Sequence, residues 1–483
     1  MKKCMGAMPV LLLALLIVQC CRAQDAKGKP VIKKEEREKA SSYKGYEEDE
    51  IIIAFKEGEY QVSKARIKAE LARSGINRVD IRQCGNCGSY VELWKAKDIH
   101  NVIHSEGVGG GAAGSSKDVG EDTIAYYSRN FISKLPVEYV PVLPWESGHF
   151  RAETSFRPID GAGRDTIVIA VLDTGIDTVQ FQLAHFLWTN KAERPVLSDR
   201  DVSCYPGDIR GWNFVDKNAN IRDDNKGRHG SLVSGYIAEA FSTAQFSRNF
   251  VQIMTLKTHD KDGNGDLFDC ICAIHYAKEM KARIINASWG FYYYDTIPHP
   301  YLTKLITEVL PEAGILFIAA AGNEMRDVDE KARLDRKVPA DSLRDLGHHK
   351  FYPACLSGDA NSVITVTTTD GSSVSPAQNY SARYVDLGVK ADRVRGRRME
   401  FLGPFIFYPA GEQEYVRGSS FAAAIATGQI GAFLPRTVDN AQGNTKGKVM
   451  QALMDIPGIV TKEPPLADKN YIRGGKFIKH KQP

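Results

Sequence analysis

Four short stretches hold residues whose types and surroundings could do acid, base and nucleophile chemistry together. Ile167 to Leu172 is an apolar run that ends in Asp173-Thr-Gly175. Asn225-Lys-Gly-Arg-His229-Gly-Ser-Leu-Val-Ser-Gly235 sets a histidine beside a glycine at the entrance to a helical stretch, Tyr236 to Phe241. An imidazole there becomes a general base when a nucleophile lies within hydrogen-bond reach and an acid orients its other nitrogen. Arg417-Gly-Ser-Ser420-Phe-Ala-Ala-Ala-Ile-Ala-Thr-Gly428 puts a serine among small residues that let a helix pack close to a sheet. Ser420 at that helix N-terminus would have backbone N–H groups and the helix dipole favouring a developing oxyanion. Finally, Ile315-Leu-Phe-Ile-Ala-Ala-Ala-Gly-Asn323-Glu324 places an amide directly after a buried strand. An amide donor aimed at a tetrahedral oxyanion contributes ~3 kcal/mol or more to the transition state.

Each stretch has a plainer reading when taken alone. Asp173 with Gly175 can be a strand-end turn, His229 a structural histidine, Ser419 or Ser420 a helix N-cap, and Asn323 a turn residue. Asp-Thr-Gly also suits an aspartic protease, but that chemistry needs two carboxylates sharing a proton. No second Asp-Thr-Gly or Asp-Ser-Gly is present. The serine motif is Gly-x-Ser-x-Ala rather than the Gly-x-Ser-x-Gly elbow of α/β-hydrolases, whose serine comes first in the chain.

Taken together and in the order Asp, His, Asn, Ser, the four motifs resemble the subtilase family of serine proteases. The resemblance extends to Ile284-Ile-Asn-Ala-Ser288-Trp289-Gly290, similar to that family's substrate-flanking strand, and to Phe351-Tyr-Pro-Ala. It implies that Asp173, His229 and Ser420 form the triad and that Asn323 helps to hold the oxyanion. It further implies that Ser288, Trp289 and Gly290 pair with the substrate backbone and border the P1 and P4 pockets. Three departures stand out: Ala423-Ala424 replaces alanine-proline, Leu232 replaces a second histidine, and Ser231 replaces a threonine. None removes a catalytic group. Leu387 to Gly403, rich in arginine, matches the family poorly and reads as a surface insertion. Glu324 beside Asn323 could border the P1 pocket and favour basic residues, or be solvated.

The elements that must position these residues are near-continuous apolar strands: Ile167–Leu172, Phe250–Leu256, Ala282–Ala287, Ile315–Ala321 and Val363–Thr367. Strands apolar on both faces belong to a mostly parallel sheet with helices on both faces, an α/β fold whose site lies at the carboxyl ends. Upstream, strands at 51–55, 79–82, 90–95 and 123–132 and helices at 63–73 and 98–104, the second capped by Asp98, make a small ferredoxin-like α+β module. The resemblance implies that this module is an inhibitor-type propeptide, cut from the enzyme between Phe131 and Trp145. The expected organisation is a signal peptide at 1–23, a charged linker at 24–46, the propeptide at 47–135 and the peptidase domain at 145–475. Gly107 to Ser116 has the composition of a flexible insertion, and Pro136, Pro141 and Pro144 mark a connection without regular structure.

The 483 residues carry a net charge of only +4, which gives no reason to expect nucleic acid as a partner. Lys2 and Lys3 before the apolar run Met8–Val18, with Ala23 after it, predict export; no later stretch is apolar enough to span a bilayer. The protein is expected to be secreted or periplasmic. A lipid anchor through Cys20 is the alternative, disfavoured by the bulky Gln19 before it. Export permits disulfides, and a local Cys84–Cys87 bridge in a turn is the expectation. A zinc site would need a second CxxC, and Cys270, Cys272 and His275 point apart on a helix, so no metal ligand is assigned. Asp260 to Asp266 opens like a calcium loop, but Ile271 stands where a bidentate glutamate is required, which leaves a polar turn before a helix at 267–280. Catalysis needs no cofactor; structural calcium is common among similar proteases, with no ligands assignable here. The partners expected are peptide substrates and the chain's own propeptide. The rival to a secreted endopeptidase is a catalytically silent subtilase-like scaffold.

Overall fold

The computed structural model describes residues 45–85, 90–103, 107–108, 126–135, 138–141, 165–179, 183–193, 204–243, 249–293, 299–359, 361–390, 393–395, 400–402, 405–407, 413–434 and 445–479. The expected signal peptide and nearly all of the charged linker lie outside these residues.

The N-terminal module is built from β1 (Tyr46–Ala54), α1 (Tyr60–Arg73), β2 (Asp80–Gln83), β3 (Val91–Lys95) and β4 (Tyr126–Lys134). The strands pair antiparallel in the order β4-β1-β3-β2. Alternate strand residues point to one face, so Ile51 and Ile53 meet Ile67 and Leu71, one turn apart on α1, around the buried Trp94. The second helix differs from expectation. It is a single 3₁₀ turn, Ile99–Asn101, and Asp98 sits left-handed at φ 59° without capping it. One such turn already draws both Ile99 and Ile103 into the core, so nothing favours a longer helix. A second difference follows β4: Glu138–Pro141, expected to lack regular structure, forms a strand (β5) paired with residues 414–417.

The larger sheet has nine strands. In chain order they are β6 (Asp165–Asp173), β7 (Gly211–Asn213), β8 (Asn249–Lys257), β10 (Ile284–Ala287), β11 (Leu316–Ala320), β12 (Val363–Thr368), β13 (Leu387–Val389), β15 (Val460–Lys462) and β16 (Lys476–Ile478). Between them lie α2 (His229–Thr243), the short β9 (Asn264–Asp266), α3 (Leu267–Glu279), β14 (Gln413–Arg417), α4 (Ser419–Phe433) and α5 (Thr445–Met454). The sheet order is β15-β16-β13-β12-β11-β10-β6-β8-β7, parallel throughout except for β15 with β16. Leu387–Val389 is therefore a buried strand of this sheet rather than a surface insertion; the hairpin Arg393–Arg395 with Glu400–Leu402 only begins beyond it.

All fifteen residues of α4 are buried, and the helix packs α2 on one side and the central strands on the other. A Cβ on Gly428 would run into the Ile237 carbonyl of α2 and lie 2.8 Å from the Ala240 methyl. Glycine at 428 thus sets how near the two helices come.

The cysteines contradict the expected local bridge. Cys84, just after β2 of the module, is bonded to Cys272 in α3, 188 residues away. Cys204 is disulfide-bonded as well, while Cys270 and Cys355 are free and buried. Sequence spacing favours Cys87 for Cys84, but the fold brings the β2 end of the module against α3. There Arg82 pairs with Asp266 and Asp269 at 3.2 and 2.9 Å and lies over the Phe268 ring.

Alanine is a better helix former than glycine by about 1 kcal/mol, yet overpacking a close contact costs about 1–3 kcal/mol. The clash wins, so Gly428→Ala should lower the midpoint of chemical unfolding, as denaturant titration would register.

Candidate active site

Asp173 is the last residue of β6 and 1% exposed. Its backbone carbonyl accepts from the N–H groups of Thr258 and His259, which fixes the strand end beside β8. Gly175 follows at φ +113°, where an added Cβ would lie 2.6 Å from the Ile221 carbonyl. A Cβ on Gly230 would in turn strike the Gly175 carbonyl. The two glycines therefore let the start of α2 press against the Asp-Thr-Gly turn.

The first N–H groups of α2 have no partners within the helix, and three side chains from two loops take them. His229 N donates to Asn225 Oδ1 at 3.4 Å, Gly230 N to Thr174 Oγ1 at 2.9 Å, and Ser231 N to Asp223 Oδ2 at 3.0 Å. The Ser231 hydroxyl also donates to Asp223 at 2.6 Å and accepts from Asp177 N at 2.8 Å. The serine that replaces threonine at 231 thus keeps a hydroxyl tie to the loops around α2.

With α2 held so, His229 Nδ1 lies 2.7 Å from Asp173 Oδ1, both side chains almost wholly buried. A carboxylate on Nδ1–H leaves the lone pair on Nε2, and Nε2 has no hydrogen-bond partner among the described residues. Ser420, second residue of α4, donates from Oγ to the Ser288 carbonyl at 3.2 Å. The next ring along α4, Phe421, lies 5.3 Å from the His229 ring. The ends of α2 and α4 that carry His229 and Ser420 thus lie together, with no hydrogen bond to His229 Nε2 among the described residues; hydrogen bonds in catalytic sites are often loose without substrate and tighten when it binds.

Asn323 lies just after β11. Its Oδ1 accepts from Ser419 N and Ser419 Oγ, both at 3.0 Å. A backbone N–H can only donate, so the amide oxygen must face Ser419 and the NH2 group must point the other way. Ser288 is buried, takes a hydrogen bond from Asn286 Nδ2 at 2.9 Å and gives one to the Ser420 carbonyl at 3.0 Å. Trp289 is buried beside His259, with ring centroids 6.2 Å apart. Glu324 is exposed.

Gly290 exchanges two backbone hydrogen bonds with Lys134 of β4, at 2.9 and 3.1 Å. On the other side of the same segment, Ile132, Ser133 and Lys134 pair antiparallel with Asp266, Gly265 and Asn264 of β9. The module's last strand is therefore laid between two segments of the larger domain. The chain then reappears as β5 along β14, with Glu138 opposite Arg417, three residues before Ser420.

Sequence reasoning missed β9, β14 and His259. β9 was read as part of a polar turn; Asp260 Oδ1 does accept from Asp262 N and Asn264 N, and Asp266 caps α3 through Asp269 N at 2.7 Å. Three residues alternating glycine with polar side chains carry no strand signal, since the pairing depends on a distant partner. Among the described residues no group of three or more His, Cys, Asp or Glu is placed to hold a metal ion, and His275 meets the Tyr301 hydroxyl at 2.9 Å.

A parallel sheet that gathers an Asp–His pair and a helix-borne serine at its carboxyl edge is one of several architectures on which serine endopeptidases are built. The sequence profile of the subtilase family matches residues 164–455, more than half of the chain, and the chain belongs to that family. Subtilisin-like protease 3 of Plasmodium falciparum (isolate 3D7) is 26% identical over 220 residues, 44% of this chain and 26% of that protein. Thermophilic serine proteinase of Bacillus sp. (strain AK1) is 30% identical over 159 residues, 32% of each chain. The matched part thus spans a third or less of these relatives' length. Among solved structures, the epidermin leader peptide processing serine protease of Staphylococcus aureus superposes with a TM-score of 0.53 at 18% identity, covering 90% of this chain and 97% of that one. Fervidolysin from Fervidobacterium pennivorans gives 0.53 at 16%, covering 90% and 60%. At these identities the likeness is one of fold.

Asn323→Asp keeps an acceptor for Ser419 but replaces the N–H donor with charge. It should lower kcat about 10²–10³-fold with little change in KM, measured by steady-state peptide hydrolysis.

Proposed function

We propose that this protein is a secreted serine endopeptidase made as a zymogen, with Asp173, His229 and Ser420 as its triad and residues 47–135 as its inhibitory propeptide. In this reading His229 Nε2 takes the Ser420 proton as Oγ attacks a peptide carbonyl. Asp173 holds the imidazole in the required tautomer and stabilises the imidazolium. The Asn323 amide and the Ser420 backbone N–H bind the oxyanion, the protonated histidine passes its proton to the leaving amine, and water then hydrolyses the acyl-enzyme. Ser288, Trp289 and Gly290 form one side of the substrate cleft.

The observation that carries the reading is the double hydrogen bond between Lys134 and Gly290. A substrate held in an extended cleft is recognised by such main-chain pairing, and here the chain's own β4 supplies the strand. Lys134 is thus paired two residues beyond Ser288, and Glu138 lies opposite Arg417, three residues before Ser420. That favours self-processing at a bond between Lys134 and Glu138, within the interval the sequence suggests. Export is supported by the charged and apolar N-terminal pattern and by the Cys84–Cys272 disulfide, since such bonds persist in oxidising compartments. Among the described residues no helix is long and apolar enough to cross a membrane.

The wild-type full chain should be cut once, with a new N-terminus between 135 and 138, and in the presence of a dithiol should react with a fluorophosphonate probe at Ser420. Ser420→Ala should remain a single uncut chain that does not label. Processing that continues in Ser420→Ala, or a correctly folded wild type that never labels, would leave the silent scaffold as the answer.

A further inference from the structure

We propose that His259 makes the cleft select substrates with serine or threonine at the position that Ser133 occupies, the residue paired with Gly265. This rests on the reading of the groove as a substrate cleft. Ser133 is fully buried between β9 and the segment of Gly290. Its Oγ lies 2.7 Å from His259 Nε2 and 3.9 Å from the Cys270 sulfur. His259 is itself fully buried, and its other nitrogen, Nδ1, lies 2.9 Å from Thr258 Oγ1. Burial pushes the His259 pKa down to about 4, so at neutral pH the ring is uncharged, with one N–H and one lone pair. A hydroxyl can answer either. Thr258 completes one end of the ring from within the enzyme, and the residue in the groove completes the other.

The room for this contact comes from Gly265. A Cβ there would lie 2.9 Å from His259 Cδ2, 3.0 Å from Nε2 and 2.5 Å from the Thr258 carbonyl. Only glycine lets the imidazole edge reach the strand in the groove. Trp289 and the free, buried Cys270 close the rest of the pocket. Alanine at the Ser133 position would strand a buried ring nitrogen without a partner, and valine would do so while keeping the shape of threonine. A site built to hydrogen-bond a hydroxyl rejects the analogue that lacks it.

The test uses the processed full-length protein and quenched peptides copying residues 129–141 with Ser, Thr, Ala or Val at the 133 position. A thiol reductant is present throughout, because the Cys84–Cys272 bond ties the module to the peptidase domain. The Ser and Thr peptides should show kcat/KM about 10- to 100-fold above Ala and Val. His259→Leu should invert the order in favour of Val. Equal rates on all four peptides, or the same preference in His259→Leu, would overturn the proposal. A failure of the peptidase reading looks different, since no peptide would then be cut. In that case a cycle in the uncut Ser420→Ala chain still decides the matter: Ser133→Ala should lower stability when His259 is present and not in His259→Leu, while Ser133→Thr should not. Additive effects of the two substitutions would refute the contact.

A separate observation, the disulfide between the module and the peptidase domain, carries a second inference. We infer that processing alone does not free the N-terminal module, and that an external dithiol is needed to release it. A cut between Lys134 and Glu138 leaves Cys84 and Cys272 bonded. The inhibitory strand then stays at an effective concentration near millimolar, far above that of two separate chains. Cys204 of the peptidase domain is disulfide-bonded too, so each bond that joins the fragments needs its own two-electron reduction: at Cys84–Cys272 a dithiol's thiolate attacks one sulfur, the S–S bond breaks, the reductant's second thiol closes its own disulfide, and two protein thiols remain.

Processed protein should run as one species without reductant and as two with it, and a linked peptide containing Cys84 and Cys272 should be recovered after digestion. Adding a dithiol should raise the activity of dilute processed enzyme by 10²-fold or more. The triple variant Cys84→Ser, Cys204→Ser, Cys272→Ser, which removes every disulfide of the described residues, should be active after processing with no response to dithiol. Fragments that part without reductant, or a triple variant that still needs it, would sink the inference.

Discussion

The candidate site depends most on how closely α2 approaches α4. His229 is the first residue of one helix and Ser420 the second residue of the other, so the distance between the two side chains is a distance between helix ends. Gly428 permits that approach where any side chain would meet the Ile237 carbonyl. Gly230 and Gly175 do the same at the mouth, where α2 presses on the strand end that carries Asp173. Close packing of this kind leaves little slack, because well-packed interiors cannot take up even one added methyl without strain. The chemistry is placed by backbone contacts first, and the side chains inherit their geometry.

Polar groups complete the arrangement where packing alone would leave it underdetermined. Thr427 Oγ1 donates to Asn286 Oδ1, Asn286 Nδ2 donates to Ser288 Oγ, and Ser288 Oγ donates to the Ser420 carbonyl. This buried chain ties α4 to β10 and fixes the rotation of the helix that bears Ser420. Ser419 ties the same helix to Asn323. In a low-dielectric interior each link is costly to leave unmade, so the network specifies one orientation of α4 among those the apolar contacts would tolerate.

The N-terminal module meets the larger domain through main-chain pairing, a disulfide and charged groups, with Phe131 stacked on Phe291 as well. β4 pairs with β9, Lys134 pairs with Gly290, and Cys84 is bonded to Cys272 beside the Arg82–Asp266–Asp269 cluster. Main-chain pairing engages no side chains, whereas the Ser133 hydroxyl meets His259. The same segment is therefore held both by its backbone and by a buried side-chain contact.

Much of this was legible in the sequence. Runs such as Ile167 to Leu172 and Val363 to Thr367 are short, apolar or β-branched and read as strands covered on both faces, which places a motif at their ends on one edge of a sheet. Asp173, His229, Asn323 and Ser420 could be named because each carries its own local context of glycines and small residues. What depends on contacts between distant segments was not legible. Cys84 has Cys87 three residues away, and only the docking of the module onto α3 gives it Cys272. Asn264 to Asp266 lacks any strand pattern until Ile132 to Lys134 lies beside it, and Leu387 to Val389 looks like surface until the sheet is assembled around it. His259 has no motif at all. Local sequence fixes local conformation and the identity of reactive groups; which remote strand, sulfur or hydroxyl each one meets is decided by long-range packing, and only the tertiary structure reveals it.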